Sequence, residues 1–173
     1  MLLHSQKMLG SIIHFIEKNM NLGKTPLKVG DVAPEFSAQD QDGNIHQLAN
    51  YFEQKLVLYF YPKDNTPGCT AQACNLRDNY RTLQDKGYVL LGISPDKLSS
   101  HQKFAQKFDL PFPLLSDTNH EIASSYGVWG TKKFMGKTYE GIYRTTFVIE
   151  KGIITHIIDE VNTKDHSEQI FAL

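Results

Sequence analysis

Unbroken apolar runs alternate with stretches of helical spacing along most of the chain. Lys55 to Tyr61 is almost continuously apolar, as expected of a strand buried on both faces. Downstream, Cys69, Ala73, Leu76, Tyr80 and Leu83 are spaced four, three, four and three residues apart, which is one stripe of a helix. That stripe turns Cys69 toward the body of the protein, and Gly87 ends the helix. Tyr88 to Ser94 is a second buried strand. Lys97 to Phe108 reads as a helix with Phe104 and Phe108 four apart. Phe112-Pro-Leu-Leu is a brief strand near an edge, because prolines bracket it.

Before these elements, Asp40-Gln-Asp-Gly-Asn44 carries an Asp-Gly hairpin signal between two short strands. After them, Asn119 to Tyr126 is a short helix closed by Gly127. Arg144 to Glu150 and Ile153 to Ile158 pair across a Lys-Gly turn, and a final helix starts at a Thr163 cap. Residues 128–143 read as a long loop, and loops of that length are usually functional or mobile. Strands alternating with helices, then a hairpin and a helix, predict an α/β protein: a mixed central sheet flanked by helices.

Composition narrows the function. With 173 residues and 40% hydrophobic residues, the chain suits one domain with an ordinary core. Eighteen basic and 19 acidic residues give a net charge of −1, which argues against nucleic acid or an acidic membrane as partner. No apolar run approaches the roughly 20 residues of a membrane span. Met1 to Asn19 has apolar residues at helical spacing but makes a poor signal peptide, since His14 and Glu17 interrupt its apolar run. It reads as an appended helix, with Met20 as an alternative start. Two cysteines do not make a disulfide framework; they fit a reduced, cytoplasmic setting and a redox or metal site.

The chemistry gathers after the first buried strand, in Pro62-Lys-Asp-Asn-Thr-Pro-Gly-Cys69. Thr66 is a favoured N-cap and Pro67 a favoured first helical residue, so Cys69 falls in the first turn. Unpartnered backbone amides and the positive end of the helix dipole favour a thiolate there. Gly68 leaves room for a small substrate. Cys74 lies five residues on, about 7.5 Å of rise along a continuous helix and on another side of it. A disulfide requires Cα atoms within about 7 Å. The pair therefore bonds only if the first turns unwind.

Other cysteine chemistries fit less well. Zinc needs further ligands, and no His or third Cys shares the segment. A thioredoxin-type exchange site has two residues between its cysteines; here there are four. A Cys–His hydrolase lacks a local histidine signature, and His101 and His120 read as solvated helix residues. Arg144, at the start of a buried strand, is either a surface ion-pair residue or a guanidinium beside the thiolate.

The segment Pro62 to Cys69 resembles the peroxiredoxin motif Pro-x-x-x-Thr/Ser-x-x-Cys, and Cys69 to Cys74 resembles that of the bacterioferritin comigratory protein, or Q-type, branch. Lys28 to Phe36, Phe112 to Asp117, Tyr126 to Gly130 and Gly141 to Phe147 agree with it. The resemblance covers residues 26–173 and leaves 1–25 as an N-terminal extension of unknown role. It implies a thioredoxin-like fold and a thiol peroxidase needing no metal or other cofactor. Cys69 would attack hydrogen peroxide or an organic hydroperoxide, and Cys74 would resolve the sulfenic acid as an intramolecular disulfide. Thr66 and Arg144 would position the peroxide, Pro62 would shield the sulfenate, and thioredoxin or a similar dithiol would reduce the disulfide. An intramolecular resolver makes a monomer sufficient and allows a weak dimer. The competing expectation is a redox sensor or chaperone-like protein using the same Cys69–Cys74 switch.

Overall fold

The computed structural model describes residues 24–173; the expectations for Met1 to Asn19 and Met20 lie outside them. A small hairpin, β1 (Ser37–Gln39) and β2 (Ile45–Gln47), precedes a 3₁₀ turn, Leu48–Tyr51. Then come β3 (Lys55–Phe60), α1 (Pro67–Asp78), α2 (Tyr80–Asp85), β4 (Tyr88–Ser94), α3 (Leu98–Phe108), β5 (Leu114–Ser116) and α4 (Glu121–Ser125). The chain closes with β6 (Trp129–Phe134), β7 (Lys137–Ile142), β8 (Thr145–Glu150), β9 (Ile153–Ile158) and α5 (His166–Phe171).

The central sheet has the order β5-β4-β3-β8-β9. Strands β3, β4 and β5 run parallel, while β8 is antiparallel to β3 and β9 antiparallel to β8. The alternation of side chains along β3 builds a core on each face. Leu56, Leu58 and Phe60 join Tyr126, Val128 and Phe147 on one side. Val57, Tyr59 and Tyr61 join Cys69, Ala73, Leu76 and Phe104 on the other. Gly92 of β4 is paired with Tyr59, and a Cβ there would lie 2.8 Å from Tyr59 Cζ. Its lack of a side chain lets the tyrosine ring lie flat against the sheet.

Outside the cysteine turn, four expectations need correction. Residues 128–143 are mostly a hairpin, β6 and β7, turning at Met135-Gly136 with φ of 49° and 76°. Both central residues of this two-residue connection have positive φ, as hairpin turns favour. The ribbon stands outside the central sheet and is mostly exposed, so no apolar alternation marks it. The helix predicted to run through to Gly87 breaks at Asn79, whose side-chain amide donates to the Asn75 carbonyl at 2.9 Å. Such a local bond competes with helix continuation. The last helix starts at His166, with Asp165 at the N-cap position, rather than after Thr163. There the Asn162 carboxamide oxygen accepts the Lys164 N–H at 3.1 Å and holds 163–165 as a turn.

The histidines are the fourth correction. His101 is 0% exposed, and His120 is half-buried with its ring stacked on Trp129 at a centroid distance of 3.7 Å. Their place on or beside helices suggested solvent; tertiary packing overrides it.

His166 is also fully buried, with Nε2 3.0 Å from Thr146 Oγ1 and Nδ1 3.2 Å from Gln169 Oε1. Burial pushes its pKa down to about 4 from 6.5; the bond to Gln169 opposes this and the charge of Arg144 adds to it. Because the folded value lies below the unfolded one, the contribution is complete above pH 6.5 and is lost as the pH falls toward 4. We expect this group alone to cost about 3 kcal/mol of stability across that window. Urea unfolding at pH 7.5 and 4.5 checks it: His166→Gln should lose that part of the acid sensitivity.

Candidate active site

The site is assembled where β3 ends. Phe60, its last residue, pairs with Thr145, the first of β8. This register places Arg144 beside the segment leaving β3, although 75 residues separate Arg144 from Cys69. Arg144 Nη2 donates to Cys69 Sγ at 3.3 Å, and Nη1 donates to Gln72 Oε1 at 2.5 Å. Gln72, one helical turn beyond Cys69, thus orients the guanidinium from the same helix. Sequence reasoning missed Gln72, because a glutamine inside a helix carries no local signal.

Cys69 is the third residue of α1 and is 2% exposed. The first helical bond runs from the Thr70 amide to the Thr66 carbonyl at 2.8 Å, so the Gly68 and Cys69 amides lie ahead of the helical ladder. A Cβ on Gly68 would sit 3.4 Å from Arg144 Nη2. Gly68 therefore also leaves space for the guanidinium over the sulfur. Tyr59 packs in the same core cluster as Cys69, with its hydroxyl buried and unpartnered among the described residues. Burial, and secondarily the nearby sulfur, pushes its pKa well above the usual tyrosine range, so it remains a donor. The Gln72 carboxamide nitrogen is likewise buried without a partner among the described residues.

Thr66 occupies the N-cap position with extended backbone, φ −91° and ψ 155°, yet its side chain makes no capping bond. Its hydroxyl donates instead to the Lys63 carbonyl at 2.9 Å. The proton is committed there, and the oxygen offers only its lone pairs. This corrects the expected cap: its position holds, but its bonding does not. Pro62 is half-buried in the turn between β3 and α1.

Cys74 is half-buried, and both cysteines are free. Helix α1 is unbroken from Pro67 to Asp78, so the pair stands apart on it. The helix is also docked on α5: the Asn75 carboxamide oxygen accepts the Ser167 N–H at 2.8 Å.

Hairpin β6–β7 contributes a second cation that sequence reasoning did not find. Lys132 Nζ donates to the Ile142 carbonyl at 2.9 Å, and its stem crosses Gly141, 3.3 Å from where a Cβ would sit. Burial and the Arg144 charge lower its pKa, while Cys69 opposes the shift. Lys132, Tyr143 and Arg144 share the lining of a cavity of about 500 Å³ with Asp159, Glu160 and Asn162. Among the described residues, no helix is long and apolar enough to cross a membrane.

Residues 29–157 match the family model described as AhpC/TSA. The chain is 49% identical to peroxiredoxin Bcp of Escherichia coli strain K12 over 146 residues, covering 84% of this chain and 94% of that protein. It is 42% identical to peroxiredoxin Bcp of Bacillus subtilis strain 168, over 81% of this chain and 90% of that one. A solved bacterioferritin comigratory protein of Xanthomonas campestris, described for its alkyl peroxide reduction activity, superposes with a TM-score of 0.76. That structure is 28% identical and covers 86% of this chain and 96% of its own.

A match over most of the chain, on a thioredoxin-like sheet with a cysteine in the helix turn after a central strand, places this protein in the AhpC/TSA family, among the peroxiredoxins. Within it the chain is of the bacterioferritin comigratory, or Q-type, branch. It is a thiol peroxidase: it acts on peroxides and is served by a thiol reductant.

Proposed function

We propose that residues 26–173 form the catalytic domain and that Cys69 is the peroxidatic cysteine, with Arg144, Thr66 and Pro62 around the peroxide. The observation carrying this reading is the 3.3 Å contact from Arg144 Nη2 to Cys69 Sγ at the first turn of α1. The thiolate is the attacking form of a cysteine. The guanidinium and the free amides of that turn are the groups available to stabilise negative charge there. Sulfur attacks the terminal peroxide oxygen: the S–O bond forms, the O–O bond breaks, and the alkoxide or hydroxide leaves and takes a proton from solvent. The products are Cys69 sulfenic acid and an alcohol or water. Thr66, with only lone pairs to offer, accepts from the peroxide O–H, while Arg144 donates to the oxygens. Pro62, packed in the preceding turn, limits solvent at the sulfenate.

The Cys74 thiol then attacks the Cys69 sulfenic sulfur, forming an intramolecular disulfide and releasing water. This demands that the first turns of α1 unwind. Thioredoxin or a similar dithiol reduces the bond by exchange, becoming oxidised and restoring both thiols. Because the resolving thiol is in the same chain, a monomer suffices and a weak dimer is compatible. The setting is the reducing cytoplasm, and the substrates are hydrogen peroxide and organic hydroperoxides. The alkyl peroxide activity named for the Xanthomonas relative supports the latter.

Cys74→Ser tests the division of labour. It should still consume one equivalent of peroxide and accumulate Cys69 sulfenic acid, which dimedone traps and excess peroxide converts to sulfinic acid. Its turnover with thioredoxin, thioredoxin reductase and NADPH should fall at least about tenfold, as expected when a positioned intramolecular step is lost. Turnover at the wild-type rate would assign resolution to another thiol.

A further inference from the structure

The loop between β3 and α1 is fixed by a buried polar cluster that takes no part in the chemistry above. Asp64 Oδ2 lies 2.8 Å from His101 Nδ1 and accepts the Ser100 hydroxyl at 2.8 Å; Oδ1 accepts the Tyr61 hydroxyl at 2.6 Å. His101 Nε2 faces the Leu115 carbonyl at 3.1 Å, an oxygen that only accepts, so Nε2 carries a hydrogen. The Asp64 and His101 side chains are 3% and 0% exposed, so they form a buried pair between the loop and α3. Removing either partner strands a polar group in the interior.

This cluster reaches the peroxide-binding turn through one peptide unit. The N–H of the Lys63–Asp64 peptide donates to Asp96 Oδ2 at 2.7 Å, and Ser94 Oγ holds the same oxygen at 2.9 Å. The carbonyl of that peptide, Lys63 O, receives the Thr66 hydroxyl proton. The plane of the peptide, and with it the direction of the Thr66 lone pairs, is therefore held from the end of β4, the loop after it and α3. Helix α1 is held by other partners: Arg144 through Gln72, and Ser167 of α5 through Asn75.

We propose that His101 and Asp64 are positioning residues for Thr66, acting through the Lys63–Asp64 peptide to orient the peroxide acceptor from outside α1, whose first bond reaches only the Thr66 carbonyl and not its hydroxyl. The inference rests on the reading of Cys69 as the attacking thiol. Its consequence is a separation of steps. The pair governs oxidation of Cys69 by peroxide but not formation of the Cys69–Cys74 disulfide, which depends on α1 unwinding.

Rapid mixing with peroxide, quenching with an alkylating reagent and weighing the intact chain reads both steps. His101→Asn keeps a side-chain amide toward Asp64 but loses the hydrogen donated to Leu115. It should slow oxidation at least about tenfold, the scale of effect expected from a small misplacement near reacting atoms, with disulfide formation within about twofold of wild type. Thr66→Val should cost less in the His101→Asn background than in wild type, because the two act as a unit. Ser100→Ala deletes one hydrogen bond to Asp64 and should slow oxidation about threefold, with the same partition; if His101→Asn does not fold, this variant decides. Oxidation unchanged in the folded variants, or equal slowing of both steps, overturns the inference and leaves the role of Cys69 intact. Failure of wild-type Cys69 to oxidise overturns both.

Discussion

Cys69→Ser should lose peroxide consumption by at least about a thousandfold, because it removes the nucleophile and leaves only the groups that surround it. A serine hydroxyl in the same place is not an effective nucleophile toward the O–O bond and does not form the disulfide. Fold and stability should change little, since the substitution swaps one small side chain for another in the first turn of α1. The coupled assay with NADPH, thioredoxin reductase and thioredoxin checks the loss, and circular dichroism checks the fold. Retained consumption would move the chemistry to another group and reduce Cys69 to a core residue beside Tyr59 and Ala73.

Arg144→Met should be the next most damaging change, with the second-order rate of Cys69 oxidation falling about 100- to 1000-fold. That is the range for loss of one preorganised charge-stabilising donor, about 2.7–4 kcal/mol. Methionine keeps much of the length of the side chain but deletes both the Nη2 bond to Sγ and the Nη1 bond to Gln72. Part of the loss should recur in Gln72→Ala, which leaves the guanidinium present but unbraced. Stopped-flow oxidation at increasing peroxide separates the two variants. Arg144→Met should give a low rate at every concentration, whereas Gln72→Ala should give an intermediate one. An Arg144→Met rate within threefold of wild type would make the sulfur contact incidental.

Much of this site was legible in residue order because its turn is local. Thr66, Pro67, Gly68 and Cys69 signal a helix start by themselves, and the apolar run of β3 says where that start emerges. Arg144 was ambiguous for the opposite reason: only the pairing of Phe60 with Thr145 brings it to the sulfur. Long-range register is invisible to periodicity. Gln72, Lys132 and His101 were missed or misread on the same grounds. Each is a polar residue whose meaning comes from a partner elsewhere: Arg144 for Gln72, the Ile142 carbonyl for Lys132, and Asp64 for His101. The hairpin β6–β7 escaped because an exposed ribbon need not alternate apolar and polar residues. The break at Asn79 escaped because a single side-chain bond to Asn75 outweighed an intact helical stripe.

The five-residue spacing of Cys69 and Cys74 then acquires a mechanical meaning. On intact α1 the two sulfurs stand apart, and the helix is anchored to α5 and to Arg144 while the loop before it is anchored to α3. In the proposed cycle, unwinding the first turns would release Gln72 from Arg144 and carry the oxidised sulfur toward Cys74, while the side-chain bonds of the Asp64 cluster, none of which is made to α1, could persist. Reduction would then let the helix reform over the same turn.

The most direct test is the intact mass of the reduced wild-type chain after one equivalent of peroxide, taken without reductant and with free thiols alkylated. The account predicts a single-chain species lighter by two hydrogens that takes up no alkylating reagent, with Cys69 and Cys74 joined in one proteolytic fragment. A species of twice the chain mass, or a chain that keeps an alkylatable Cys74 while Cys69 carries added oxygen, would contradict it.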